Sequence, residues 1–236
     1  GGSIRLRTHE IVRRMVEESD IPPAAHLTCV GASRDEVDEV ARGYWEAGIR
    51  HIVAIRGDAP MGDDHYEPHP DGYRYASDLI AGLKHVADFE ITAAAYPEPH
   101  PEAISAEDDL DNLKRKIDAG ATRAITQYFF NADSYFYFID RLEKMGITIP
   151  VVPGIMPIVN FSSLVRFSDM CGAEIPRWIR KQLEAYGDDS DSIRKFGEDV
   201  VTEMCEKLLK AGAPGLHFYT LNQAEPTVAV LRNLRG

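Results

Sequence analysis

The sequence predicts an α/β fold of the (β/α)8 TIM-barrel type. Short β-rich runs alternate along the chain with stretches of helical periodicity, a pattern typical of parallel strands joined by right-handed helical crossovers. The loops G-x-G-x-x-G and G-x-x-x-x-G-K-[ST] are absent, which disfavours a dinucleotide-binding Rossmann fold and a P-loop NTPase. The 236 residues approach the length of a typical barrel, about 250 residues.

Local signals place the predicted elements in order. A loop at 1–7 leads into a helix whose apolar stripe is Ile11, Val12, Met15 and Val16. A strand is expected at 26–30, and Ser33-x-x-Glu36 is a capping box that opens a helix ending at Gly48. A loop rich in Pro, Gly, Asp and His is expected at 57–72. The other strands are expected at 51–55, 90–96, 122–128, 149–155 and 215–220, and the other helices at 75–86, 106–118, 133–144, 160–211 with one break near 187–192, and from 224 onward.

The number of predicted units is smaller than a complete barrel requires. Six strands, each followed by a helix, leave the barrel two units short of eight. We therefore expect residues 1–236 to form a single barrel domain that is incomplete at its N-terminus. A strand, a helix and a second strand, about 60 residues in all, would precede Gly1.

Composition excludes several classes of function. The formal net charge of −12 argues against nucleic acid or an anionic membrane as the main partner. Cys29, Cys171 and Cys205 show no C-x-x-C spacing, which predicts reduced thiols and a cytoplasmic protein. No apolar run approaches the roughly 18 residues of a membrane span. No Cys/His cluster or H-E-x-x-H pattern occurs, so no metal site is predicted.

The first candidate site follows the strand at 51–55, where Arg56, Gly57 and Asp58 stand at its carboxyl end. Barrel enzymes bind ligands at that end of their strands. Arg56 could pair with a phosphate or carboxylate, Gly57 permits close approach of the backbone, and Asp58 could tune charge at a ring nitrogen. A surface turn with a salt bridge explains the same residues equally well.

The second candidate site is the stretch 94–103, where an apolar strand runs into a stiff Pro-x-Pro loop carrying Tyr96 and His100. The following helix carries Asp109, Asn112 and Lys116 in a stripe beside its apolar face, with Arg115 next to them. This stripe predicts either a surface ion-pair network or a clamp for ribose and pyrophosphate.

Other candidates are weaker when taken alone. His26 is a lone histidine in a strand, and such residues are more often structural. Gln127 ends a strand, and its amide could both donate to and accept from a pterin edge. The aromatic residues 128–130 and Phe167 are expected to pack in the core.

Many blocks in order along the chain give it a resemblance to the methylenetetrahydrofolate reductases. The matching blocks are RTHEIV at 7–12, HLTC at 26–29, GIRHIVAIRGD at 48–58, YASDL at 75–79, AAYPEPHPEA at 94–103, DNLKRKIDAGATRAITQYFF at 111–130, PGIMP at 153–157 and HFYTLN at 217–222. This family of one-carbon metabolism and methionine biosynthesis consists of flavoprotein (β/α) barrels, usually homo-oligomers. The resemblance implies an oxidoreductase that reduces 5,10-methylenetetrahydrofolate to 5-methyltetrahydrofolate in a ping-pong reaction through FAD, with NADH or NADPH as the hydride source.

The resemblance also implies roles for individual residues. Asp58 and Gln127 would contact folate, Phe167 would pack against nicotinamide or folate, and Gln223 would lie near the folate tail. Asp58 would also supply electrostatics at the flavin, and Ala121 would affect flavin retention. The implied FAD contacts are His26, Arg56, Gly57, Asp58, Tyr75, Ala76, Tyr96, His100, Ala103, Asp109, Asn112, Arg115 and Lys116.

The chain departs from the family pattern in three places. The family's acid glutamate lies in an E-F-F-P-P strand that does not occur in these 236 residues. Ile4 and Leu6 stand where the family usually has Thr and Asp. Ser163 and Gln223 stand where some members have Gln and Arg. These departures bear on proton transfer and on binding of the folate tail.

Two other functions remain open on the sequence. The chain could be a catalytically silent barrel that binds flavin or folate as a partner subunit. It could also be another folate-binding barrel, such as a pterin methyltransferase, which bound flavin would exclude.

Overall fold

A computed structural model of the chain describes residues 2–58 and 66–236, with side chains from Thr8 onward. Within these residues there are six β-strands and nine α-helices, and at least one helix follows every strand. This order confirms the α/β class. The residues form two compact units, Gly1–Ala94 with Asp111–Ala124 and Ala95–Leu110 with Ile125–Gly236. The single barrel domain stays a prediction.

The first unit is built on three parallel strands in the order β1-β2-β3. Ala24 lies opposite His51, and His51 lies opposite Glu90, so the three strands run in register to the same edge. Ala25, Ile52 and Ile91 along them are fully buried. The elements are α1 (Gly2–Glu18), β1 (Ala24–Thr28), α2 (Arg34–Glu46), β2 (His51–Ile55), α3 (Ala76–Val86), β3 (Glu90–Ala95) and the larger part of α4 (Ala106–Asp118).

The second unit contains the strands β4, β5 and β6 in that order. Gly154 of β5 lies opposite His217 of β6, and these two strands are also parallel. The long helix α8 packs against α5, α7, α9 and β5, and it buries Val201 and Cys205 completely. The elements are β4 (Arg123–Tyr128), α5 (Ala132–Lys144), β5 (Val151–Ile155), α6 (Phe161–Cys171), α7 (Arg177–Tyr186), α8 (Ser190–Lys210), β6 (His217–Phe218) and α9 (Ala224–Arg235).

Local signals placed several elements correctly. The capping box is confirmed, because Ser33 Oγ accepts the N–H of Glu36 at 3.3 Å and Glu36 Oε2 accepts the N–H of Ser33 at 2.8 Å. These bonds satisfy backbone donors that the first turn of α2 would otherwise leave without a helical partner. No helix in the described part of the chain is long and apolar enough to cross a membrane.

The N-terminal predictions need correction. Residues 1–7 were expected to be a loop, but α1 already begins at Gly2, and the sequence up to Arg7 contains no proline to stop a helix. The predicted apolar stripe of α1 is mostly accessible, since Ile11 is 56% and Met15 41% exposed while only Val12 is buried. The side chains of Ile4 and Leu6, and residues 59–65 of the predicted loop, lie outside the described residues.

Other predicted boundaries also differ from the structure. Strand β1 begins at Ala24 and ends at Thr28, two residues before the expected limits, because the ladder with β2 starts at the Ala24–His51 pair. The helical stretch 160–211 has a second break at 172–176. Gly172 ends α6 at φ 73°, and Pro176 is the N-cap of α7, so both stop signals were present in the sequence. Strand β6 covers only two residues.

Two helical glycines give a paired test of packing. A Cβ on Gly197 of α8 would overlap the carbonyl oxygen of Ile158, whereas a Cβ on Gly43 of α2 would meet nothing within 4 Å. We expect Gly43→Ala to raise the unfolding free energy by about 0.5–1 kcal/mol through helix propensity. Gly197→Ala is expected to lower it by about 1–3 kcal/mol through overpacking. Urea denaturation measures both, and equal effects would contradict the packing described for α8.

Candidate functional site

The turn after β2 is held closely against the end of β1. The carbonyl oxygen of Arg56 accepts the N–H of Val30 at 3.0 Å and lies 3.5 Å from the sulfur of Cys29. Gly57 has φ +88°, and a Cβ there would lie 2.5 Å from Cγ1 of Val30. Both the left-handed conformation and the close approach therefore require glycine. The turn places Arg56 and Asp58 beyond the strand end in a fixed backbone.

The guanidinium of Arg56 is held by an aromatic ring. Its Cζ lies 4.4 Å from the centroid of Tyr66, and its Nε donates to the oxygen of Gly57 at 3.2 Å. Burial raises the pKa of Tyr66 to about 12, so the phenol stays neutral and donates to the carbonyl of Arg74 at 2.9 Å. Cation–π contact and hydrogen bonding thus orient a half-buried cation, while Asp58 beside it is exposed.

His26 lies in the middle of β1, between the buried Ala25 and Leu27, rather than at the start of the strand. More than a third of the residue is accessible, yet burial by the surrounding protein lowers the pKa of its imidazole below 6.5. The lowered pKa favours a neutral ring near pH 7, able to donate or accept a hydrogen bond but carrying no charge.

Tyr75 and Ala76 form the start of α3. Tyr75 is its N-cap residue, and the backbone N–H of Tyr75 donates to Oδ2 of Asp78 at 3.1 Å. The Tyr75 ring is 57% exposed and Ala76 is half-buried. An exposed ring at a helix N-terminus is a surface on which a planar ligand group could stack.

The polar stripe of α4 is half-buried. Lys116 is the best anchored member, since its Nζ donates to the carbonyl oxygen of Ala94 in β3 at 2.8 Å. Arg115 donates to Oδ1 of Asn112 at 2.5 Å on the more exposed side. The arrangement is therefore not a simple surface network, because one cation reaches the backbone of a strand. Ala121, just before β4, is buried.

In the second unit the loop after β3 is stiffened by its own contacts. The rings of Tyr96 and His100 meet edge to face with centroids 4.7 Å apart. The backbone N–H of His100 donates to Oδ2 of Asp109 at 2.9 Å, and its carbonyl accepts the N–H of Ala103 at 2.8 Å. Nδ1 of His100 accepts the N–H of Glu102 at 3.1 Å. A neutral His100 ring therefore carries its proton on Nε2, which becomes a donor.

Glu98 in the same loop was not singled out by the sequence. Its Oε1 accepts a hydrogen bond from Oγ of Ser134 at 3.3 Å, and its Oε2 accepts the N–H of Glu174 at 2.8 Å. Burial raises the pKa of this carboxyl above its ordinary value. In the sequence, only the flanking prolines mark Glu98, because both of its hydrogen-bond partners lie far away along the chain.

Three of the residues predicted to contact folate lie in separate parts of the second unit. Oε1 of Gln127 accepts the N–H of the neighbouring Tyr128 at 3.0 Å, so its amide oxygen is turned to the backbone. Phe167 of α6 was expected in the core but is only half-buried, under the guanidinium of Arg166, with 5.2 Å between Cζ and the ring centroid. Gln223 is exposed before α9. The aromatic residues 128–130 are buried, which confirms their packing role.

Ser163 lies in the first turn of α6, where its backbone N–H donates to Oδ1 of the N-cap residue Asn160 at 2.8 Å. In the described part of the chain, no hydrogen bond or ring contact joins Gln127, Phe167 and Gln223 to one another. Contacts within the first unit hold Arg56 in the turn after β2 and Lys116 against β3. Contacts within the second unit join Tyr96, His100 and Asp109 into one cluster.

These features define a class of α/β protein in which polar ligand-binding groups gather in the loops after parallel strands. The model of the family described as methylenetetrahydrofolate reductase matches residues 1–235. The chain therefore belongs to the methylenetetrahydrofolate reductase family.

The relatives that the chain matches support this membership. The chain is 46% identical over 230 residues to the 5,10-methylenetetrahydrofolate reductases of Salmonella typhimurium and Escherichia coli, covering 98% of this chain and 76% of each relative. It is 37% identical to methylenetetrahydrofolate reductase (NADH) 1 of Zea mays, over 99% of this chain and 41% of that protein.

The similarity to solved structures concerns the fold. A Clostridium thermocellum protein described as binding two copies of 5-methyl-5,6,7,8-tetrahydrofolic acid superposes with a TM-score of 0.59 and 17% identity, over 94% of this chain and 77% of that one. A 2,3-dimethylmalate lyase superposes with a TM-score of 0.52 and 11% identity, over 95% of this chain and 63% of that one.

The lowered pKa of His26 has a measurable consequence. We expect its ring to titrate with a midpoint below 6.5 in the folded protein, because burial penalises the charged form. The unfolded chain then binds the proton more readily, so stability present above pH 6.5 is lost as the pH falls below it. NMR titration of the ring protons gives the midpoint, and the His26→Gln variant identifies the signal. That variant should lose less stability on acidification, and a midpoint at or above 6.5 would contradict the assignment.

Proposed function

We propose that this protein reduces 5,10-methylenetetrahydrofolate to 5-methyltetrahydrofolate, with FAD as its cofactor and NADH or NADPH as the hydride source. The observation that carries the proposal lies in the first unit. Arg56 follows β2, and Lys116 is bonded to Ala94 of β3, the strand that pairs with β2 in parallel. Two half-buried cations therefore stand at the same edge of the sheet.

This pair of cations fits the pyrophosphate of FAD. Phosphate oxygens prefer charge-assisted donors, and Arg and Lys are the side chains that commonly supply them. The close packing of Gly57 brings backbone to the same edge, where a larger residue would fill the space. Tyr75 offers an exposed ring, and the lowered pKa of His26 leaves it an uncharged polar partner. FAD would be held by charge at its pyrophosphate and by polar and aromatic contacts along the rest of the molecule.

Each remaining residue has a role in the proposal. When bound, FAD would supply hydride transfer between the nicotinamide donor and the folate. Asp58 would place a negative charge near the ring and favour a cationic folate. The other proposed FAD contacts are Ala76, Tyr96, His100, Ala103, Asp109, Asn112 and Arg115, and the other proposed substrate contacts are Gln127, Phe167 and Gln223. The proposed full fold is a (β/α)8 barrel.

The fixed conformation of the loop after β3 supports a binding role for it. The Nε2–H of a neutral His100 can donate to a ligand oxygen, while Asp109 orients the backbone by accepting the N–H of His100. Oε1 of Gln127 accepts the N–H of Tyr128, and its second lone pair could accept from a pterin while the amide NH2 group donates.

A titration of FAD into the purified protein tests the role of Lys116. We expect Lys116→Met to weaken FAD binding on the order of tenfold to a hundredfold, because it removes a charge-assisted hydrogen bond. Lys114→Met is the control, since Lys114 lies on the exposed side of the same helix and is paired with Asp118 at 2.6 Å. Flavin fluorescence quenching gives both affinities. Equal affinities for the two variants would overturn the proposed role of Lys116.

A second measurement concerns Asp58. We expect Asp58→Asn to raise the reduction potential of bound FAD on the order of 30 mV, because it removes a negative charge that opposes electron density on the ring. Asp111→Asn, at an exposed position of α4, should leave the potential unchanged. Spectroelectrochemistry of the FAD complex gives the potentials. An unchanged reduction potential in the Asp58 variant would show that Asp58 does not lie close to the flavin ring.

A catalytically silent binding subunit remains the second candidate function. Binding of FAD and folate without turnover, in a folded protein supplied with NADH, would support it.

A further inference from the structure

The carboxylate of Glu98 joins three separate segments of the second unit. It lies in the loop that follows β3, and it accepts hydrogen bonds from Ser134 in the first turn of α5 and from the backbone of Glu174. Ser134 is 36 residues away in the sequence, and Glu174 is 76 residues away. One side chain therefore ties the loop to the start of a helix and to the segment 172–176 that links α6 to α7.

The same linker also touches the loop directly. Gly172 has φ +73°, and a Cβ there would lie 3.0 Å from Cγ of Pro101 and 3.5 Å from the carbonyl oxygen of Pro99. The linker therefore approaches the loop on both sides of His100, and a side chain at Gly172 would push against it. Together with the hydrogen bond from Glu174 to Glu98, this gives the linker two independent contacts with the loop.

The raised pKa of Glu98 indicates that its carboxylate does not stabilise the fold near neutral pH. Burial is the main cause that raises its pKa, and the carboxylate of Glu174 acts in the same direction, against the two hydrogen bonds. The pKa of Glu98 is higher in the folded state than in the unfolded chain. The free energy of unfolding therefore falls as the pH rises through the folded-state pKa. The ionised carboxylate thus costs folding free energy near neutral pH, a cost often found at functional sites.

We propose that Glu98 is a positioning residue. Through Ser134 and Glu174 it braces the loop at 96–103 in the conformation that presents Tyr96 and His100 to the flavin. The α6–α7 linker, with Gly172, is the other half of this brace. The inference rests on the proposed FAD-binding function, and it assigns Glu98 no contact with the flavin itself.

The brace explains why the loop needs support beyond its own contacts. Asp109 and the Tyr96 ring fix His100 from within the loop and from α4. These contacts set the local shape, but they do not fix the loop relative to α5 and the linker. Glu98 and Gly172 do so, and the direction of the His100 Nε2–H would follow from that attachment.

The first test compares two substitutions of Glu98. Glu98→Gln keeps an oxygen for the N–H of Glu174 and gains an N–H that can donate to Oγ of Ser134, so the brace is retained without its charge. Glu98→Ala loses both bonds. We expect Glu98→Ala to weaken FAD binding on the order of tenfold, and Glu98→Gln to stay within about twofold of the unsubstituted protein. Thermal stability of the Gln variant should be equal or higher near neutral pH.

The second test uses a matched pair of glycines. Gly172 and Gly146 have the same φ of +73°, but a Cβ on Gly146 would meet nothing within 4 Å. Gly146→Ala therefore measures the backbone strain alone, and Gly172→Ala adds the contact with Pro101. We expect only Gly172→Ala to weaken FAD binding. This pair also decides the proposal if the Glu98→Ala variant does not fold.

Amide hydrogen exchange without FAD separates the brace from the cofactor. The loop amides at 98–103 should exchange faster in Glu98→Ala and Gly172→Ala, and at the original rate in Glu98→Gln and Gly146→Ala. Unchanged exchange and unchanged FAD affinity in both disrupting variants would overturn the brace. If the unsubstituted protein itself binds no FAD, the proposed function fails, and the exchange rates still decide whether the brace exists.

Discussion

The parallel register of β1, β2 and β3 is the constraint on which the first unit depends. Parallel strands in register end at one edge, so residues that follow different strands meet without being close in sequence. Lys116 illustrates this, because its ammonium group bonds to Ala94 in β3 although 22 residues separate them. Arg56 reaches the same edge by following β2. The arrangement of charge is thus a consequence of strand pairing and not of any local motif.

Close packing of the backbone is the second constraint, and it requires glycine at a few positions. At Gly57 the turn lies so close to Val30 that no Cβ fits, and at Gly154 a Cβ would overlap the carbonyl of Thr126. The hydroxyl of Tyr219 donates to that same carbonyl at 2.9 Å. Close backbone approach is used where strands end, which is where ligands of α/β proteins bind.

Much of the fold was readable from the sequence because the signals were local. The capping box at Ser33 and the apolar and polar stripes of α4 depend on residues within a few positions of each other. The start of α1 and the short β6 were mispredicted because their limits depend on the absence of a stop signal and on strand pairing. Glu98 was missed for a similar reason, since its partners come from α5 and from the linker before α7.

The sequence predicted which residues belong to the candidate site better than it predicted the contacts between them. Tyr96, His100 and Asp109 were recognised from the stiff loop and from the stripe of α4, and they do form one cluster. The hydrogen bond from the N–H of Tyr128 to the Gln127 amide oxygen and the stacking of Tyr66 on Arg56 are not indicated by any residue spacing. Such details depend on side-chain rotamers, which no sequence pattern specifies.

The three thiols differ sharply in access, and this makes the second unit open to a spectroscopic approach. Cys29 and Cys205 are buried, and burial raises the pKa of both, so neither offers a ready thiolate. Cys171 is only partly covered, next to Gly172, with its sulfur 3.3 Å from the hydroxyl of Tyr128. A thiol-reactive fluorophore would therefore attach at Cys171, and its emission would report any change in the surroundings of the α6–α7 linker when a ligand is added.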